Sequence, residues 1–96
     1  MENTGKIDFG SVVATPKVVK RIKSDVVFAI FIGTCIGRYV NFDWGDTCLE
    51  DMALNDKAIV SGGRLFAVYK YSSNRSVWLI TEDDRSTTTI LFPDEY

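Results

Sequence analysis

Histidine is missing from all 96 residues. That removes Ser-His-Asp and Cys-His nucleophilic schemes, imidazole general acid–base work and every zinc site that uses a His ligand. Cysteine is scarce: Cys35 and Cys48 are too few and too far apart for an all-thiolate zinc site. They read as two free thiols in a reducing cytosol, Cys35 buried, although sequence alone leaves a disulfide between them open. Met1–Lys6 has no hydrophobic stretch of the kind a secretory signal carries. The longest charge-free apolar run, Val26 to Gly37, is twelve residues, against the roughly 20 a membrane span needs. A soluble, cytoplasmic protein is the expectation, with no membrane contact.

Glycine-rich phosphate chemistry is missing too. Gly62-Gly63 has neither a preceding strand and following helix nor the Lys-Ser/Thr partner of a phosphate loop. No nucleophile, base and orienting group are set at recognisable spacing, so the reading is no enzyme and no cofactor.

What is present is an ordinary apolar fraction, 46%, and a net charge of −2, which suit one small folded domain over residues 1–96, with 1–5 flexible. The charge is uneven. Residues 1–40 hold six basic and three acidic groups, and residues 41–96 hold five and ten.

Ile7–Ala14 reads as a strand interrupted at Gly10-Ser11. Thr15-Pro16 is a helix-start signal, and Val18, Val19 and Ile22 then form an apolar stripe opposite Lys17, Lys20, Arg21 and Lys23. Ser24 is expected to cap a second helix, with Asp25 in its N-terminal field. Val26–Ile36 suits that helix or a buried strand, and the cap favours the helix. Asp46 or Thr47 caps a short helix over Leu49–Leu54, and a separate one runs from Asn55-Asp56 to Val60, stopped by Gly62-Gly63. Arg64–Tyr71, Ser76–Thr81 and Thr87–Phe92 follow as an antiparallel meander, with the Thr87–Thr89 row marking a polar face. The fold class is therefore α+β: an N-terminal strand, two to four helices and a C-terminal three-stranded antiparallel meander, with the helices packed on one sheet face. Leu65, Ala67, Tyr69 and Tyr71 share one face of the meander and Phe66 and Val68 the other, which allows a homodimer.

Two constellations compete for function. Glu82-Asp83-Asp84-Arg85-Ser86 reads as an Asp/Ser turn with Arg85 offsetting the acids. Its functional readings are an interaction surface and, failing that, a Mg²⁺ site, which needs the turn to converge the carboxylates against strand alternation. Asp43-Trp44-Gly45-Asp46 offers Trp44 either as a binding anchor or as a core plug whose indole N–H meets a carbonyl or carboxylate. Trp78 reads as core or cross-strand packing. The Lys17–Lys23 cluster is either a solvated helix face or a nucleic-acid surface.

The string from Trp78 to Tyr96, Trp-Leu-Ile-Thr-Glu-Asp-Asp-Arg-Ser-Thr-Thr-Thr-Ile-Leu-Phe-Pro-Asp-Glu-Tyr, resembles the close of a family of small bacterial "plasmid-related" proteins carried on plasmids, phages and integrated elements. Trp44-Gly45-Asp46, Asn55-Asp56 and Val13-Ala14-Thr15-Pro16 match further positions of that pattern, so the resemblance spans nearly the whole chain. It departs between Val26 and Tyr39, where the family's helices are more polar. The resemblance implies an α+β domain and residence on mobile DNA. Relatives are sometimes labelled restriction-enzyme modification subunits, but neither a glycine-rich cofactor loop nor an Asn-Pro-Pro-Tyr/Phe motif is present. The resulting expectation is a non-catalytic inhibitor of a host defence protein, a CRISPR or restriction effector (anti-CRISPR or anti-restriction). It would bind through Asp43, Trp44, Asp46, Glu82, Asp83, Asp84 and Arg85. The alternative is a nucleic-acid-binding accessory protein using Lys17, Lys20, Arg21 and Lys23.

Overall fold

A computed structural model describes residues 8–96. The expected flexible residues 1–5 and the first position of the expected strand, Ile7, lie outside them. The order is β1 (Ser11–Ala14), α1 (Pro16–Ser24), α2 (Val26–Val40), α3 (Leu49–Ser61), β2 (Leu65–Ser72), β3 (Arg75–Thr81), β4 (Thr87–Leu91) and a 3₁₀ turn over Pro93–Glu95. The class is α+β. The meander β2-β3-β4 is antiparallel, and β1 adds parallel to β4, giving the mixed order β1-β4-β3-β2.

Strand alternation separates the faces. Leu65, Ala67, Tyr69, Val77, Leu79 and Ile90 turn to the helices and join Val18, Phe28, Ile32, Cys35 and Tyr39 in one buried cluster. Phe66, Val68, Trp78 and Ile80 lie on the opposite face, where the ring of Trp78 meets Phe66 at 5.0 Å and Tyr96 at 5.4 Å. Trp78 is thus cross-strand packing on the outer face.

The helix boundaries correct the sequence reading in three places. Ser24 ends α1 and Asp25 caps α2, its carboxylate accepting the Phe28 amide at 3.1 Å. Asp25 wins because it also takes the Arg21 guanidinium at 3.2 Å. The two expected short helices are a single α3, because Asn55 faces inward mid-helix rather than capping. Neither Asp46 nor Thr47 caps α3, whose N-cap is Cys48 without a side-chain bond; both are committed to the edge of β2, as described below. The first strand is also shorter than expected, because Gly10 takes φ +68° and ends it. The threonine row splits: Thr88 is buried and inward, in a hydroxyl chain in which Tyr39 Oη lies 2.7 Å from Thr81 Oγ1 and Thr81 Oγ1 2.7 Å from Thr88 Oγ1. Thr88 in turn donates to the Phe9 carbonyl at 2.6 Å. Among the described residues no helix is long and apolar enough to cross a membrane.

Candidate functional site

The acidic turn joins β3 to β4. Its frame is local: the Glu82 amide donates to Thr87 O at 3.1 Å, the Arg85 amide to Glu82 O at 2.9 Å, and the Ser86 amide to Asp84 Oδ1 at 3.0 Å. Hydrogen bonding from Ser86 holds the Asp84 carboxyl below its usual range. Arg85 adopts φ +62°, which rolls its side chain beneath the turn. There Nη2 donates to Ala58 O at 2.9 Å and Gly63 O at 3.1 Å, at the C-terminal end of α3 where a cation meets the helix dipole favourably.

This corrects the expectation that Arg85 offsets the neighbouring acids and faces a partner: its Nη2 is spent on the carbonyls of Ala58 in α3 and of Gly63 just beyond it. Glu82, Asp83 and Asp84 are left exposed, and the ion pairs found among the described residues, Arg21–Asp25 and Arg38–Asp43, use none of them. Arg64 and Tyr96 flank the acids in a shallow open groove. Among the described residues no three His, Cys, Asp or Glu side chains are grouped so as to hold a metal ion.

The second constellation is structural. Trp44 is 4% exposed and its indole N–H donates to Asp56 Oδ1 at 3.0 Å. It plugs the core beside Tyr39 at 5.6 Å, so it is no exposed anchor. Asp43 pairs with Arg38 at 2.8 Å, and that guanidinium, with help from the Gly45 amide, holds the Asp43 carboxyl below its usual range. The Asp43 carbonyl accepts the Tyr69 hydroxyl at 2.7 Å.

Asp46, Thr47 and Asn55 close the free edge of β2. The Asp46 carboxylate accepts the Lys70 amide at 2.8 Å, its own amide donates to Val68 O at 2.8 Å, and Thr47 Oγ1 accepts the Val68 amide at 2.9 Å. Asn55 donates to Phe66 O at 2.7 Å and accepts the Phe66 amide at 3.0 Å. An edge strand's pairing groups are satisfied within the chain, which blocks strand addition from outside.

The two constellations do not meet. Asp46 sits at Lys70, whereas Glu82 follows Thr81, which pairs with Leu65. Five strand steps separate Lys70 from Leu65, roughly 17 Å.

The basic helix divides likewise. Lys17 and Arg21, one turn apart on α1, face a groove of about 400 Å³ whose other wall carries Asn74 and Arg75, with Tyr71 on its floor. The Arg21 guanidinium lies 5.6 Å from the centre of the Tyr71 ring. Lys20 and Lys23 are exposed and do not line this groove. Sequence reasoning missed Arg75 because a lone arginine after a tight turn carries no motif. It also missed Arg64, whose Nη2 donates to the Tyr96 hydroxyl at 2.8 Å. No protein-family model, curated protein or solved structure matches the chain.

Proposed function

We propose that the protein acts by binding another protein, as a non-catalytic inhibitor of a bacterial defence effector of the CRISPR or restriction type. The observation that carries the reading is the acidic turn. Three carboxylates stand exposed on a connection fixed from below by Arg85, in a groove that Arg64 also lines, and none of them makes an ion pair among the described residues. A rigid, unpaired acidic knuckle suits the basic channel of a protein built to hold nucleic acid, where charge complementarity sets partner choice and association rate. The resemblance to plasmid-related proteins supplies the setting, a mobile element confronted by host defences. Of the seven residues expected to bind, Glu82, Asp83 and Asp84 are the contact surface, and Asp43, Trp44, Asp46 and Arg85 hold the scaffold.

Affinity capture from a host lysate tests this. Wild type retains one defence effector and the Asp83→Lys, Asp84→Lys double variant loses it while keeping its circular dichroism spectrum. Equal retention by both removes the acidic turn from the account.

A second reading is favoured by one feature, the convergence of Lys17 and Arg21 with Arg75 across an aromatic floor. It is a nucleic-acid accessory role. It predicts binding of single-stranded oligonucleotide that weakens steeply with salt and is lost in Lys17→Glu, Arg75→Glu. A salt-independent interaction eliminates it.

A further inference from the structure

The groove between α1 and the turn joining β2 to β3 gathers polar groups that the chain leaves unspent. On the α1 side Lys17 makes no ion pair and no side-chain hydrogen bond among the described residues, and on the other side Arg75 makes none either. Asn74 accepts the Ser72 hydroxyl on Oδ1 at 3.4 Å, which leaves its Nδ2 hydrogens unused, and the Ser76 hydroxyl has no partner among the described residues. Arg21 is a fixed wall: its Nε goes to Asp25 at 3.2 Å, and its guanidinium lies 4.9 Å from the centre of the Phe28 ring. Asp94 is the one acid on the lining, and it makes no ion pair among the described residues. Lys17 and Arg75 are exposed and far apart in sequence, so the fold, not a local charge run, sets like charges across one groove. A cleft lined mostly by one sign concentrates ions of the other.

We infer that this groove binds a phosphate monoester, the 5′-phosphate of a single nucleotide. The site rests on the nucleic-acid reading of the groove and its cations, with a narrower ligand. The donor count favours a monoester. Such a group brings three free oxygens and close to two negative charges near neutral pH, which Lys17, Arg75, Asn74 and Ser76 match from two sides. An internal phosphodiester has fewer free oxygens and a single charge, so it leaves part of that set unmet. Extent favours one unit. A channel that follows a strand spreads its cations along several nucleotides, whereas Lys20 and Lys23, which would continue a track along α1, do not line the groove. Its volume of about 400 Å³ lies at the lower end of ligand-binding cavities, roughly 300–1,000 Å³. The rest of the lining suits a nucleoside: Asp94 is an acceptor for sugar hydroxyls, and Phe92 and Pro93 give the base an apolar surface. This groove shares no residue with the Glu82–Asp84 turn, so either site can fail without the other.

Amide shifts of nitrogen-15-labelled protein test this, on titration with uridine 5′-monophosphate, uridine, and one trinucleotide made with and without a 5′-phosphate. The monophosphate is expected to bind with a Kd of about 0.1–1 mM and to move the amides of Lys17, of residues 71–76 and of Asp94. Uridine binds at least tenfold more weakly, and so does the trinucleotide without its 5′-phosphate relative to the phosphorylated form. Lys17→Ala and Arg75→Ala, at exposed positions, each weaken the monophosphate at least fivefold with the thermal midpoint unchanged. Asn74→Asp does the same by setting a carboxylate against the phosphate. A phosphorylated trinucleotide that binds more tightly than the monophosphate makes a strand end the source, and equal or weaker binding makes it the free nucleotide. No shifts at about 10 mM monophosphate, shifts confined to residues outside the groove, or variants that bind as wild type overturn the inference. Trinucleotides bound equally with and without the phosphate overturn it too, while leaving the nucleic-acid reading standing. Failure of both trinucleotides to bind removes that reading, whatever the monophosphate does.

Discussion

Single residues carry much of the stability, and they do so as buried polar partners. Asn55 is 2% exposed and satisfies both backbone groups of Phe66. Asn55→Ala removes two bonds and strands two β2 groups, so urea unfolding should show a loss of about 2–3 kcal/mol. In the hydroxyl chain, Thr81→Val leaves Tyr39 without its acceptor and should cost about 1–3 kcal/mol, more than Tyr39→Phe, which removes the group together with its need for a partner. Burial pushes the Cys35 thiol and the Tyr39 hydroxyl each up to about 12. Both groups fold as neutral forms with raised values. Their contribution is therefore whole below their unfolded values, near 9 and 10, and falls as pH rises through that interval towards 12. Stability measured from pH 8 to 11 should decline at the alkaline end, and a thiol reagent near neutral pH should label exposed Cys48 quickly and Cys35 only on unfolding. A flat alkaline profile, or fast double labelling, contradicts the packing described.

At the scale of elements, what could be read in advance depended on whether the signal was local. Thr15-Pro16, the stop at Gly62-Gly63 and the alternation of Leu65–Tyr69 are short-range, and the structure has α1, the end of α3 and β2 where those residues indicate. The charge-free run from Val26 was ambiguous between helix and strand because β-branching and apolar content do not separate them. Asp25 decides it locally by taking the Phe28 amide. The parallel pairing of β1 with β4 was not legible, since it joins residues more than seventy positions apart and leaves no periodic trace. The same limit applied to the site. The exposed acids of the turn were visible as residues, but Arg85 was misread because its partners, Ala58 and Gly63, come from another element. Asp46 was misassigned for the same reason, its partners lying on β2, whereas Trp44 is the core plug with its indole on a carboxylate that its setting between acids and a glycine allowed. Gly45 illustrates the cost of such long-range fits: it holds φ +64° with a Cβ position occupied by the Tyr69 ring. Gly45→Ala should lower the midpoint of thermal unfolding by several degrees, and an unchanged midpoint would contradict the close approach.

For the whole molecule, the charge asymmetry along the sequence becomes an asymmetry in space. Lys17, Arg21 and Arg75 line one groove, with Asp94 among them, while the acidic turn leaves the sheet at the connection between β3 and β4. Between them Asp46, Thr47 and Asn55 occupy the outward backbone groups of β2 from Phe66 to Lys70, so strand addition is hindered at that edge of the sheet. The central claim is that the acidic turn disables a defence effector, and the most direct measurement is phage plaquing on bacteria that carry a defined CRISPR or restriction system and express the protein. The account predicts plaquing restored at least tenfold against one such system, with the Asp83→Lys, Asp84→Lys variant returning it to the protected level. Plaquing that stays at the protected level against every system, or protection abolished equally by wild type and variant, would contradict it.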